Sequence, residues 1–173
     1  MTKAVELRRH TDNEGDALTS NGVRVALEIG ARLRGDYQLL VSSGMQRATQ
    51  TLACFLAALG QRVSGGVIVE PGLRTATEGR WREIYAETGK PDLESFRAAD
   101  PGFVAAEQER LGAALRRIFA ALREGGCALA VGHSPTNEAA VLGLTGEIVA
   151  PLAKGDGVRV VARDDGYQVQ SAD

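Results

Sequence analysis

Apolar positions along this chain recur at every second residue, then at every third or fourth, and the two spacings alternate almost to the end. The first run, Ala4-Val5-Glu6-Leu7-Arg8-Arg9-His10, reads as a strand. A polar stretch from Thr11 to Asp16 follows, and Thr19 is suited to accept the free N–H groups of a helix start. Val23, Ala26, Leu27, Ile29, Gly30 and Leu33 form a helical stripe behind it, with Gly35 as the stop. Gln38 to Ser43 predicts a second strand, and Ala48, Leu52, Ala53, Phe55, Leu56 and Leu59 a second helix that stops at Gly60. Val67-Ile68-Val69-Glu70 reads as a short buried strand closed by Pro71-Gly72. A long helix over 101–124 presents Leu111, Leu115, Ile118, Phe119 and Leu122 on one face and ends at Gly125-Gly126. Cys127 to Gly132 is an apolar strand, followed by a helix from about 135 with Pro135 and Glu138 in its first turn. Residues 158–163 and 167–169, joined by Asp164-Asp165-Gly166, predict a terminal hairpin.

Between 73 and 101 the periodicity fades under Gly79, Gly89, Pro91 and dense charge. Trp81, Ile84, Tyr85, Leu93 and Phe96 still need burial, so this segment is expected to be an irregular, substrate-covering excursion rather than a linker. Strands alternating with helices imply an α/β fold: a three-layer α/β/α sandwich with a mostly parallel central sheet and an antiparallel edge. No repeat or low-complexity tract divides the chain, and one domain over residues 1–173 is expected.

Composition narrows the function. A net charge of -2 argues against a broad nucleic-acid-binding face, while leaving room for a local basic pocket. No apolar run approaches the length of a membrane span, and Met1-Thr2-Lys3 leads into a strand with no signal-peptide pattern, so a cytoplasmic protein is expected. Cys54 and Cys127 lack C-x-x-C partners and read as small core residues rather than a disulfide or a zinc site.

The candidate chemistry lies at strand exits. The chain has 2 histidines, His10 and His133, and each ends an apolar run where an open α/β sheet builds its sites. Arg9 directly precedes the first, and alternation puts Val5, Leu7 and Arg9 on one face. Arg47 follows the strand at 38–43 in the first turn of a helix, where a cation opposes the macrodipole and points to an anionic ligand. His133 opens Gly132-His133-Ser134-Pro135-Thr136-Asn137-Glu138, a strand-to-helix turn whose free N–H groups favour anions. Taken singly, each has an ordinary alternative: a surface histidine, a solvated arginine, a capping loop. Together, two imidazoles and several guanidiniums describe a pocket for a phosphoryl group.

The spacings are those of a known family. Leu7-Arg8-Arg9-His10-Thr11 resembles the R-H-G signature of the histidine phosphatase superfamily, the phosphoglycerate-mutase-like proteins. Ser42-Ser43-Gly44-Met45-Gln46-Arg47-Ala48-Thr49-Gln50-Thr51 is similar to its S-S-P-x-x-R-A-x-Q-T segment, and Val131-Gly132-His133-Ser134 to its (V/T)-G-H-(S/G) element. The three occur in the family's order over about residues 4 to 143. The resemblance implies that His10 is a nucleophile that becomes phosphorylated, with Arg9, Arg47 and His133 stabilising the phosphoryl charge and no cofactor or metal required. It makes Thr11 and Asn13 candidate substrate-binding residues, and Arg8 and Ser134, beside the two histidines in sequence, are added to them.

The chain departs from the pattern in places. Thr11 replaces the usual glycine, and Arg8 an apolar residue, which extends the cationic pocket or faces solvent. Many members carry a glutamate as proton donor in a segment like Leu73-Arg74-Thr75-Ala76-Thr77-Glu78-Gly79-Arg80-Trp81, but Thr75 stands at its position. Another branch has an aspartate directly after the second histidine; here that residue is Ser134. Glu78, or else Glu83, is the substitute donor. A phosphoramidate needs less help from an acid than an alkoxide does. The implied activity is hydrolysis of a phosphomonoester or phosphoramidate, with a phosphorylated small molecule or a phosphohistidine protein as partner. The alternative is a non-catalytic phospho-ligand binder that has lost its donor. A serine hydrolase at Ser134 is excluded, since no histidine follows it in the chain.

Overall fold

The computed structural model of the protein describes residues 1–172. Strand β1 (Ala4–Arg9) lies inside a six-stranded sheet, flanked by β6 (Cys127–Gly132) and β7 (Gly157–Arg163). Beyond β6 come β4 (Leu39–Ser42) and the edge strand β5 (Val67–Val69); beyond β7 comes β8 (Gly166–Ser171). The pairs β1–β6, β4–β6 and β4–β5 are parallel, whereas β1–β7 and β7–β8 are antiparallel. This is the mostly parallel sheet with an antiparallel edge that the alternating pattern predicts.

Side-chain alternation divides the core between the two faces. Ala4, Leu40, Leu129 and Val131 pack with Ala26 and Ile29 of α1 (Ser20–Arg32) and Leu52 and Phe55 of α2 (Gln46–Leu59). Val5, Leu7, Val41 and Ala130 pack on the other face against α5 (Pro101–Ala121) and α6 (Thr136–Thr145). Helices therefore cover both faces. Thr19 caps α1 as expected, its hydroxyl accepting the Gly22 N–H at 3.0 Å. Cys54 and Cys127 are both free thiols.

The α5–α6 contact is unusually close. A Cβ on Gly143 would lie 1.8 Å from the Gln108 carbonyl oxygen, so glycine is what permits this approach.

Three expectations are corrected. Residues 73–101 are not irregular: α3 (Glu78–Thr88) and α4 (Leu93–Ala99) occupy most of the segment. Asp92 caps α4, and Gly89 ends α3 in the left-handed conformation at φ 64°. Trp81, Ile84, Leu93 and Phe96 are buried, but Tyr85 is exposed. Strand β5 is not buried either; at a sheet edge, all three of its residues face solvent. The polar stretch after β1 contains a two-strand ribbon, β2 (Asn13–Glu14) with β3 (Ala17–Leu18). Among the described residues, no helix is long and apolar enough to cross a membrane.

Candidate active site

The carboxyl ends of β1, β4 and β6 meet at one cleft of about 610 Å³. His10 leaves β1 into it, Arg47 reaches it from the first turn of α2, and His133 leaves β6 beside them. The two imidazoles, 123 positions apart in sequence, stand with ring centroids 5.2 Å apart. Arg9 and Ser134 line the same space.

The environment of His10 settles its tautomer. Its Nδ1 lies 2.8 Å from the Thr11 carbonyl oxygen, which only accepts, so Nδ1 carries the hydrogen and Nε2 keeps its lone pair. Burial, opposed by the Thr11 hydrogen bond and assisted by the charges of Arg47, Arg9 and Lys154, lowers its pKa to about 4. A buried imidazole with a free Nε2 is neutral near pH 7 and nucleophilic.

His133 is 8% exposed, and its Nε2 lies 2.7 Å from the Ser43 hydroxyl. Burial, with Arg47 and His10 adding to it, lowers its pKa to about 3. A phosphoryl dianion between the rings would oppose that shift and favour a charged imidazolium. The turn holding His133 is pinned from within: Asn137 Oδ1 accepts the His133 N–H at 3.2 Å, and its Nδ2 donates to the Arg8 carbonyl at 3.1 Å. A Cβ on Gly132 would fall 2.3 Å from that same Oδ1.

Two arginines supply cationic forks. Arg9 donates through one terminal nitrogen to the Leu152 carbonyl at 2.8 Å, while its Nε is buried without a partner. Arg47 is fixed by Asp16, whose Oδ1 accepts from the guanidinium at 2.9 Å. The same carboxylate takes the backbone N–H of Gln46 at 3.1 Å and of Arg47 at 3.4 Å, so it caps α2 from a distant loop. The anion expected at this helix start is thus partly built in. Three buried side-chain polar atoms lack a hydrogen-bond partner among the described residues: Arg9 Nε, His133 Nδ1 and Glu138 Oε2. All three belong to residues in or behind this cleft. Buried polar groups are seldom left unpaired without a functional reason.

The remaining candidates divide. Asn13 lines the cleft, its amide donating to the Gly15 carbonyl at 2.8 Å. Ser134 lines it too and donates to Glu138 Oε1. Glu78 sits at the mouth, half exposed, with Arg82 at 2.8 Å and Arg47 at 3.9 Å. Glu83 does not line the cleft and instead pairs with Arg80 at 3.2 Å. Thr11 is fully buried, its hydroxyl donating to the Gly22 carbonyl at 2.8 Å, so it braces the loop and does not reach the cleft. Arg8 is corrected outright. It points to the opposite face of the sheet, where its Nε donates to Glu6 Oε1 at 2.6 Å and a terminal nitrogen to the Gly155 carbonyl at 3.1 Å. Strand alternation is the reason: neighbours of an inward Arg9 must face the other way.

Sequence reasoning missed Asp16, Ser43, Asn137 and Lys154. Asn137 lay inside the quoted turn motif, and Ser43 inside the second segment. Asp16 and Lys154 carried no local signal. Among the described residues, no group of three His, Cys, Asp or Glu side chains is placed to hold a metal ion.

No curated protein sequence matches the chain. Among solved structures, phosphoserine phosphatase from Entamoeba histolytica, in complex with 3-phosphoglyceric acid, is 18% identical with a TM-score of 0.74, covering 98% of this chain and 95% of that one. Phosphoglycerate mutase from Bacillus anthracis str. Sterne is 18% identical with a TM-score of 0.72, covering 98% and 92%. The putative phosphohistidine phosphatase SixA from Agrobacterium tumefaciens is 17% identical with a TM-score of 0.59, covering 97% and 95%. These likenesses establish the phosphoglycerate-mutase-like fold. The family model described as histidine phosphatase superfamily (branch 1) matches residues 2–152, the stretch that carries both histidines together with Arg9 and Arg47, and this chain belongs to that superfamily.

Proposed function

We propose that the protein is a phosphatase that works through a phosphohistidine on His10. The carrying observation is the fixed tautomer: Nδ1–H donates to the Thr11 carbonyl, which leaves Nε2 unprotonated beside Arg9, Arg47 and His133. Nε2 attacks phosphorus in line with the leaving oxygen or nitrogen. The guanidiniums of Arg9 and Arg47 and the His133 imidazole take up the equatorial charge, the role a metal ion fills in other phosphoryl-transfer sites. Water then hydrolyses the phosphohistidine and returns the free imidazole. Asn13, Ser134 and Glu78 line the substrate's approach. The substrate is a phosphomonoester or a phosphoramidate, including protein phosphohistidine. Solved structures of similar fold include a phosphoserine phosphatase and the protein histidine phosphatase SixA, so both chemistries belong in the test.

The test is turnover of a panel of phosphomonoesters and a phosphohistidine peptide in the presence of a chelator. The proposal expects release of inorganic phosphate that His10→Ala reduces to background. Arg47→Ala is expected to lower kcat/KM by about 100-fold or more, as for loss of one charge-stabilising donor. Saturable phosphate binding without turnover of any panel member would favour a non-catalytic binder and contradict the proposal.

A further inference from the structure

The departures at Thr75 and Ser134 leave the leaving-group proton without an obvious source, and the chemistry of an alkyl ester needs one. Glu78 is an acceptor in both its contacts, held at the exposed mouth by the guanidiniums of Arg82 and Arg47. A second carboxyl lies deeper. Glu138, on the first turn of α6, is 2% exposed and stands directly behind Ser134.

We propose that Ser134 and Glu138 form a two-residue proton relay that serves the leaving group in the first half-reaction and the attacking water in the second. Ser134 lines the cleft with its hydroxyl bonded to Glu138 Oε1, so one side of that oxygen faces substrate and the other faces a buried carboxyl. Oε1 also accepts the Leu152 N–H at 2.8 Å, which fixes the carboxyl plane. Oε2 is buried with no hydrogen-bond partner. An unpaired carbonyl oxygen of a neutral carboxyl is far cheaper to bury than an unpaired oxygen of a carboxylate. Burial pushes the Glu138 carboxyl up, opposed by the Leu152 and Ser134 hydrogen bonds and by Arg9, the charged group that faces it from β1. The unpaired Oε2 and the burial of the carboxyl both favour the neutral form that the relay requires. A proton on Oε1 reverses the Ser134 hydrogen bond, so that Oε1 donates to Ser134 Oγ while still accepting from the Leu152 N–H. The Ser134 hydrogen is then free to turn toward the cleft.

The steps balance. His10 Nε2 forms a bond to phosphorus as the ester P–O bond breaks; the departing oxygen takes the Ser134 hydroxyl proton, and Ser134 takes the proton of Glu138, which becomes a carboxylate. In the second step water oxygen bonds to phosphorus, the N–P bond breaks, and one water proton passes through Ser134 back to Glu138. Alcohol and phosphate leave, and His10, Ser134 and Glu138 return to their starting states. Ser134 touches the reacting atoms. Glu138 acts only through it.

This inference rests on the phosphatase reading, and the experiment separates the two. The readout is kcat/KM, which reports the transfer to His10, for para-nitrophenyl phosphate and ethyl phosphate. Their leaving groups differ greatly in their need for a proton. Ser134→Ala is expected to lower kcat/KM for ethyl phosphate by about 100-fold more than it lowers kcat/KM for para-nitrophenyl phosphate, the usual scale of a general acid. Ser134→Thr, which keeps the hydroxyl, is expected to restore most of the ethyl phosphate rate. Glu138→Gln should show the same leaving-group dependence. If that variant fails to fold, the two Ser134 variants decide the matter alone. Equal losses on both esters would overturn the relay in favour of a structural role, as would a leaving-group-dependent loss in Glu78→Gln with Ser134→Ala unaffected. A wild-type protein that hydrolyses neither ester nor the phosphohistidine peptide contradicts the phosphatase reading, and the relay falls with it.

Discussion

A carbonyl oxygen one residue away decides which nitrogen of His10 faces the cleft, and burial, assisted by the surrounding cations, keeps the ring neutral. Both histidines have folded pKa values below the usual 6.5, at about 4 for His10 and about 3 for His133. The unfolded chain therefore binds more protons than the folded one across this range, and stability rises with pH there. Lowering the pH from about 7 toward 4 should progressively destabilise the ligand-free protein. Glu138 has the opposite sign: its raised pKa favours the fold at low pH, a contribution lost as pH rises through its folded value. Chemical denaturation at a series of pH values should show a flatter profile between 4 and 6.5 for His133→Asn than for wild type. An unchanged slope would contradict the neutral, buried assignment. At this scale the sequence was informative where chemistry and position coincide. His10, Arg9, Arg47 and His133 sit at strand ends or a helix start, and all four line the cleft. Arg8 was misjudged because charge was weighed before alternation, which alone turns it away. Asp16 was illegible because its partner Arg47 is reached only through the fold.

At the scale of elements, helix starts and close approaches carry the site. The turn before α6 is held by Asn137 and by the absence of a side chain at Gly132, so His133 inherits the position of the helix. Helix α6 is in turn set by its contact with α5 at Gly143. Replacing Gly143 with alanine drives a methyl into the Gln108 carbonyl, and the helices must part. The expected cost is about 1–3 kcal/mol, the range for overpacking. Gly102→Ala, on the same helix pair but with nothing within 4 Å of the added carbon, should stay within about 1 kcal/mol of wild type. Thermal denaturation of the two variants distinguishes them, and equal melting temperatures would contradict the packing account. The strands and long helices were legible because their periods were clear. Helices α3 and α4 were not, since dense charge masks the apolar positions of Trp81, Ile84, Leu93 and Phe96. Gly89, which ends α3, was read as a break, and the capping signal of Asp92 ahead of α4 was passed over.

On the scale of the whole molecule, a chain with a net charge of -2 gathers Arg9, Arg47, Arg74, Arg82 and Lys154 around one opening at the carboxyl ends of its parallel strands. Parallel topology is what brings the three motif segments together: β1, β6 and β4 are adjacent, so their exits are adjacent as well. That convergence makes His10 the atom-level centre of the account. Its most direct test is to mix the protein with a turned-over phosphate ester, quench in alkali within one turnover, and map the phosphoryl group by mass spectrometry. The expected result is an acid-labile, alkali-stable phosphoryl group on the peptide containing His10, absent in His10→Ala. Rapid turnover with no such label, or an acid-stable label on another residue, would contradict it.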